Sequence, residues 1–211
     1  MDGVIAMEDA RALVGDVKLW PRVRDFLWDF VPQVHESWLE PNQLSLKDSP
    51  RVKRYILDSL GVEPCFHTFP KEDGSRILLL DGATLESAAK WLGALACAES
   101  LRRVTSGEVV RGLKSKLRGI YPEVFSYTAY FKENDFQRRD AEAQSLQTVV
   151  VEEGYSLLQS VVANLSSPLV ARLKFKLPKG LCASASLREV KLSAVLKLFK
   201  LKFPEAYKLC C

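Results

Sequence analysis

Leu146-Gln147-Thr148-Val149-Val150-Val151-Glu152-Glu153-Gly154-Tyr155-Ser156-Leu157-Leu158-Gln159-Ser160-Val161-Val162-Ala163-Asn164-Leu165 is the stretch that decides the fold class. Leu146, Val149, Val150, Leu157, Leu158, Val161, Val162 and Leu165 recur at helical spacing. Extended upstream to Arg138, the pattern predicts one helix of roughly 27 residues, about 40 Å long. Its expected inward stripe is Leu146, Val150, Leu157, Val161 and Leu165.

Ser166-Ser167-Pro168 breaks this rod. Leu173-Lys174-Phe175-Lys176-Leu177 then alternates apolar and charged, the pattern of a short strand. Ser186-x-x-Glu189 reads as a capping box opening a last amphipathic helix through Leu187, Val190, Val195, Leu196 and Phe199, stopped by Pro204. Upstream, Thr84 is placed to cap a helix through Trp91, Leu92 and Leu95. The Ala88, Ala89, Gly93, Ala94 and Ala96 of that helix permit close approach by another. Ser106 caps a further helix with Val109, Val110, Leu113 and Leu117 on one face. Residues 121–131 are aromatic (Tyr121, Phe125, Tyr127, Tyr130, Phe131), as expected of packing between helices. Pro21 and Pro50 suit first helical turns, and Gly61 suits a C-terminal cap. Arg76-Ile77-Leu78-Leu79-Leu80 suggests a short buried strand. The fold expected is mainly α: an irregular multi-helix bundle with one long central helix and at most one or two short strands. Residues 1–211 read as a single helical domain, with a basic segment, 168–211, packed on or appended to it.

The composition of the 211 residues, 47% hydrophobic and 27% charged, excludes wholesale disorder and low-complexity protein. Five cysteines, Cys65, Cys97, Cys182, Cys210 and Cys211, form no Cys-x-x-Cys pair, so thiols in a reducing compartment are expected. Met1-Asp2-Gly3-Val4-Ile5-Ala6-Met7-Glu8-Asp9 is acidic where a signal peptide is basic, and no apolar run approaches the roughly 20 residues of a membrane span. A cytoplasmic location is expected.

Charge is unevenly placed. Residues 168–211 carry ten basic and two acidic side chains, so that segment is +8 within a chain of +4. A solvated helix face and an acidic partner surface both accommodate such a segment, and nucleic acid or an anionic membrane is the alternative. Lysine predominates over arginine there, which favours diffuse electrostatics over base readout.

No catalytic constellation is legible. His35 and His67 are the only histidines, and Cys65-Phe66-His67 lacks the second pair a metal site needs. Gly-x-Ser-x-Gly, Gly-x-Gly-x-x-Gly and P-loop patterns are absent. Neither a cofactor nor a metal is expected, and the chain reads as a non-enzyme.

Trp91-Leu92-Gly93-Ala94-Leu95-Ala96-Cys97-Ala98-Glu99-Ser100-Leu101-Arg102-Arg103 resembles the L-G…[LI]-R-R segment of the SctK proteins, called YscK, PscK or MxiK, of type III secretion. Three further features follow in the same order. They are Pro32, His35 and Leu39; Ser167-Pro168-Leu169-Val170-Ala171-Arg172-Leu173-Lys174-Phe175-Lys176-Leu177-Pro178; and a last helix ending at Pro204. The resemblance implies a helical adaptor of the injectisome sorting platform, peripheral to the inner membrane. It would link the inner-membrane ring protein's cytoplasmic domain to the pod protein. The partner-binding candidates are Arg102 and Arg103, and in the basic final helix Lys191, Lys197, Lys200 and Lys202. The alternative function is binding to nucleic acid or an anionic surface through the basic C-terminal segment.

Overall fold

The computed structural model describes residues 19–62, 69, 74–131, 146–165, 167–179 and 190–210. Among these the chain is mainly α. The helices are α1 (Trp20–Leu27), α2 (Pro41–Leu46), α3 (Pro50–Ser59), α4 (Gly82–Ala96), α5 (Ala98–Arg102), α6 (Gly107–Lys116), α7 (Val124–Tyr127), α8 (Leu146–Val161), α9 (Ser167–Phe175), α10 (Leu192–Lys202) and α11 (Pro204–Cys210). Short 3-10 turns cover Val31–Gln33, Glu36–Trp38, Ser75–Leu79 and Thr128–Tyr130. No strand forms among the described residues.

The core is built on α4 crossing α8, the most extensive helix contact in the structure. The crossing is close because both helices present glycine at it. A Cβ added to Gly93 would lie 1.8 Å from the carbonyl oxygen of Val150, and one added to Gly154 would lie 1.8 Å from that of Ala89. Each glycine thus aims a Cα hydrogen at a carbonyl of the other helix, a contact typical of tightly crossed helices. The alanine and glycine content of α4 was the legible half of this arrangement.

Around the crossing, α8 is enclosed almost on every side. Val150, Val151, Tyr155, Leu157, Leu158 and Val162 are buried, and so are the polar Glu153 and Ser156. The expected stripe is therefore too narrow. Val150 and Leu157 lie in the core, whereas Val161 and Leu165 are only half-buried. A helix at the centre of a bundle buries its whole circumference, not one stripe. The helix is also shorter than expected at its described end. It stops at Val161, and residues 162–165 tighten into turns through i→i−3 bonds such as Val162 N–H to the Gln159 carbonyl at 3.1 Å. Residues 138–145 and the Ser186-x-x-Glu189 box lie outside the described residues, as does the side chain of Leu146.

Leu157 is fully buried. Leu157→Ala is expected to cost about 3 kcal/mol, inside the roughly 2–5 kcal/mol span of such truncations. Chemical denaturation checks this, and an unchanged midpoint would remove Leu157 from the core.

Both expected strands are helical. Residues 76–79 fall in the buried 3-10 turn Ser75–Leu79, entered through Gly74 at φ +90°, and Leu80 is the extended residue that ends it. This turn packs against α1, α9 and α11, so its carbonyls meet side chains and no neighbouring strand. Residues 173–175 close α9 and 176–177 continue it as a turn, with Leu169, Arg172, Leu173 and Lys176 all buried at i, i+3, i+4, i+7. The helical stripe was present in the sequence, but two of its four members are cations, so the apolar alternation of the other residues dominated.

One terminus also differs from expectation. Asp81, not Thr84, caps α4. Its Oδ1 accepts from the Thr84 backbone N–H and its Oδ2 from the Thr84 hydroxyl, both at 2.8 Å. Pro204 stops α10 and at once occupies the first turn of α11.

Candidate functional site

Three of the six sequence-selected cations converge on the aromatic segment 121–131. Arg102, in the last turn of α5, donates from Nη2 to the Thr128 hydroxyl at 2.7 Å, and its guanidinium stands 5.6 Å from the Phe125 ring centroid. Glu99, one turn earlier, lies 3.6 Å away. Lys197 donates to the Tyr130 carbonyl and sits 5.6 Å from the Phe131 ring. Lys202 reaches deepest. Its ammonium is 4.2 Å from the Tyr127 ring, 4.4 Å from the Trp91 ring, and donates to the Glu123 carboxylate. Burial works to lower the pKa of Lys202, but its bonds to Glu123 and Tyr127 outweigh that and raise it.

This arrangement follows from local sequence. Lys197 and Lys202 are on α10, which packs on α4, and the aromatic segment packs on α4 as α7 and the following turn. Trp91 and Tyr127 meet edge-to-face at 5.4 Å and form the wall against which Lys202 lies. Tyr130 stays 52% exposed, and Leu201 beside Lys202 is 38% exposed. Tyrosine and arginine are over-represented among the residues that carry binding energy in protein interfaces. Sequence reasoning read the aromatic run as packing only and did not single out Tyr130. Lys191, at the N-cap of α10, and Arg103, at the C-cap of α5, are exposed, and Lys200 is exposed over the Tyr207 ring at 6.0 Å.

A second polar constellation lies inside the body. Arg172 on the buried side of α9 and Lys176 just past its end, one turn apart, stop the ends of two other elements. Arg172 Nη1 donates to the carbonyls of Phe26 and Leu27 (3.0 Å for Leu27), the last residues of α1, and the guanidinium is flanked by the Phe26 and Phe30 rings. Lys176 Nζ donates to the carbonyls of Leu78 at 2.6 Å and Leu80 at 2.9 Å, at the end of the 3-10 turn. Helix ends leave carbonyls without intrahelical partners, and a cation there answers both the bonds and the local negative potential. Burial pushes the Lys176 ammonium down to about 7, with Asp81 opposing the shift and Arg22 adding to it. Burial also works to raise the pKa of Asp81, but the Thr84 backbone and hydroxyl bonds and the nearby Lys176 bring it below the usual carboxylate value.

The segment after α9 is tied to residues 35–38. His35 N–H donates to the Phe175 carbonyl at 2.8 Å, and the Trp38 indole donates to the Leu177 carbonyl at 2.7 Å. The Trp38 and Phe175 rings meet edge-to-face at 4.8 Å. Two stretches far apart in sequence, around His35 and around Arg172, are thus one junction. An open cavity of about 590 Å³ beside it is lined by Arg22, Asp25, His35, Asp81, Glu86 and Lys176 among others. Asp25 is paired with Arg24, Glu86 with Lys90, and Asp81 serves as the α4 cap, so the carboxylates of this cavity already have structural duties.

Among the described residues no three His, Cys, Asp or Glu side chains are grouped to hold a metal, and Cys65 and His67 lie outside them. No helix of the described residues is long and apolar enough to cross a membrane.

No curated protein and no solved structure matches the chain. Residues 24–209 match the family model described as YOP proteins translocation protein K (YscK). That span runs from α1 to α11 and includes the helix crossing, the α9 junction and the cation–aromatic face. The chain belongs to the YscK family and is a type III secretion protein.

Proposed function

We propose that this protein is a non-enzymatic adaptor of the cytoplasmic sorting platform. It bridges the cytoplasmic domain of the inner-membrane ring protein and the pod protein, working at the inner membrane without entering it. The observation that carries this reading is the face where Arg102, Lys197 and Lys202 gather on residues 121–131 and Tyr130 remains exposed. Cations held by internal bonds are pre-oriented, so a partner's carboxylates meet them with little ordering cost. Arg102 from one candidate patch and Lys197 and Lys202 from the other meet on this segment, so these three count as one surface. A bridge needs a second, separate surface for its other neighbour.

Co-purification with each neighbour alone and with both together tests the reading. Tyr130→Ala combined with Lys197→Glu is expected to lose one neighbour, keep the other, and leave the circular-dichroism spectrum unchanged. Association through this face is expected to weaken as salt rises past the point where the Debye length falls below about 10 Å. Competition of the two neighbours for the protein, or binding of neither, refutes the bridge. The alternative of nucleic-acid binding through the basic segment is less well supported, because Arg172 and Lys176 of that segment are buried in the body and Lys208 is paired with Glu205.

A further inference from the structure

The strongest unpartnered positive surface of the described residues is not on the final helix. It lies where α4 meets the end of α6. Residues 101–118 carry six basic side chains and a single acid, Glu108. Leu113 and Leu117 are buried and anchor α6, which turns Arg111, Lys114, Lys116 and, just past the helix, Arg118 outward. None of these four makes an ion pair or a side-chain hydrogen bond with any described residue. The helix dipole accounts for Lys114 and Lys116 in the last turn. It does not account for Arg111 in mid-helix or for Arg118 beyond the end.

Shape adds to charge. An open groove of about 460 Å³ runs between the two elements, its α4 wall built by Ala83, Glu86, Ser87 and Lys90 at i, i+3, i+4, i+7. The opposite wall is Ser115, Lys116, Arg118 and Ile120. Glu86 is the one acid among the described residues of the lining, and Lys90 neutralises it at 2.6 Å. The groove therefore offers Lys116, Arg118 and two serine hydroxyls to a ligand, and Arg111 and Lys114 continue the positive strip outside it.

We infer that this groove is a docking site for an acidic polypeptide segment, with Lys116 and Arg118 receiving its carboxylates. Charge complementarity and the extended strip argue for a chain of carboxylates over a single small anion. Arginine beside serine hydroxyls suits a carboxylate, which takes paired N–H bonds on one side and hydroxyl bonds on the other. Nucleic acid fits less well. Some four cations neutralise about four phosphates, which leaves only weak, salt-sensitive binding, and among the described residues no aromatic ring lines the groove for base stacking. A lipid surface fits less well too, since a flat bilayer cannot follow a groove. The inference does not rest on the bridging reading: a site for an acidic segment exists or not whichever neighbours the protein joins.

The test uses the full chain and a labelled helical peptide with glutamates along one face, against the same peptide with glutamines. The expected result is binding of the glutamate peptide about tenfold tighter than the glutamine peptide, falling about tenfold between roughly 50 and 300 mM salt. Lys116→Glu with Arg118→Glu is expected to weaken it by a further tenfold or so at an unchanged melting temperature. Reversal at Lys191 and Lys200 should leave it within about twofold, because those residues lie on another helix. If the charge reversal disturbs folding, Lys116→Gln with Arg118→Gln gives the same comparison more gently. Native-like binding by both groove variants, or an equal loss from the Lys191 and Lys200 reversal, overturns the site. Retention on anionic phosphatidylglycerol vesicles or on duplex DNA, with no binding of the glutamate peptide, overturns the choice of ligand.

Discussion

Gly154→Ala is expected to lower the melting temperature by roughly 10 °C, an effect of about 4 kcal/mol in a chain of this size. Gly93→Ala is expected to act similarly. Elsewhere in a helix the same change gains up to about 1 kcal/mol, because alanine loses less backbone freedom on folding. Here the new methyl group meets a carbonyl oxygen of the facing helix at 1.8 Å. No flexible side chain stands between them that could yield. The backbones of α4 and α8 must separate, and every side chain packed around the crossing loses contact at once. Gly107→Ala is the control, since its nearest neighbour is the end of Arg111 at 3.8 Å. That variant is expected to match the native protein or slightly exceed it. Equal melting temperatures for Gly154→Ala and Gly107→Ala would mean that α4 and α8 do not cross this closely.

The crossing shows which parts of the fold the sequence discloses. Periodicity disclosed α8 and α4 as helices, and the small residues of α4 disclosed a close approach. The other half of the contact, Gly154, sits between Glu153 and Tyr155 in a helix whose apolar pattern runs on regardless. A lone glycine there reads as a local weakness. Only the facing helix gives it a purpose. The reverse error occurred in α9. Its inward stripe at Leu169, Arg172, Leu173 and Lys176 has perfect helical spacing, but a reading that places charge outside discards half of it. Two cations at i, i+4 on the helical face shared with Leu169 and Leu173 were the available signal, because such a pair on a buried face needs carbonyls to hold it.

The candidate site divides in the same way. Arg102 and the α10 lysines were legible as charge, since charge needs no geometry to count. That they share residues 121–131 was not legible, because it depends on α7 and α10 both packing on α4. Tyr130 could not be told from its four aromatic neighbours without knowing which one the packing leaves outside. The α6 cations were overlooked for a different reason. The C-terminal segment holds more positive charge in total, but pairing lowers what it can offer, whereas the smaller set on α6 is unspent.

Stability should rise with pH through the neutral and mildly alkaline range, and Lys176 should be the cause. Its pKa is about 7 in the folded protein and near 10.5 when exposed. Between those values the unfolded chain binds more protons than the folded one, so raising the pH favours folding. The penalty for burying the ammonium is present in full below pH 7 and vanishes above about 10.5. Its full size is about 5 kcal/mol, of which about 3 kcal/mol should be recovered between pH values of about 6.5 and 9.5. The geometry suits the neutral amine. An uncharged Nζ has two N–H groups, and the carbonyls of Leu78 and Leu80 take one each. An ammonium brings a third proton and a charge, for which the Phe26 ring face 4.9 Å away and the charge of Asp81 compensate less than burial costs. Denaturant titrations of the native protein and Lys176→Met at both pH values measure this. Cysteines and the α-amino group titrate in the same range, but they are common to both proteins and cancel in the difference. Met leaves the two carbonyls without a donor, a cost of about 1–3 kcal/mol each that does not vary with pH. The slope is therefore the quantity to read. A difference between the two proteins that grows by about 3 kcal/mol on raising the pH places a proton-poor lysine at the joint of α9 and the 3-10 turn. A flat difference means that Lys176 stays charged in the fold, and that the carbonyls and Asp81 hold it more strongly than burial opposes it.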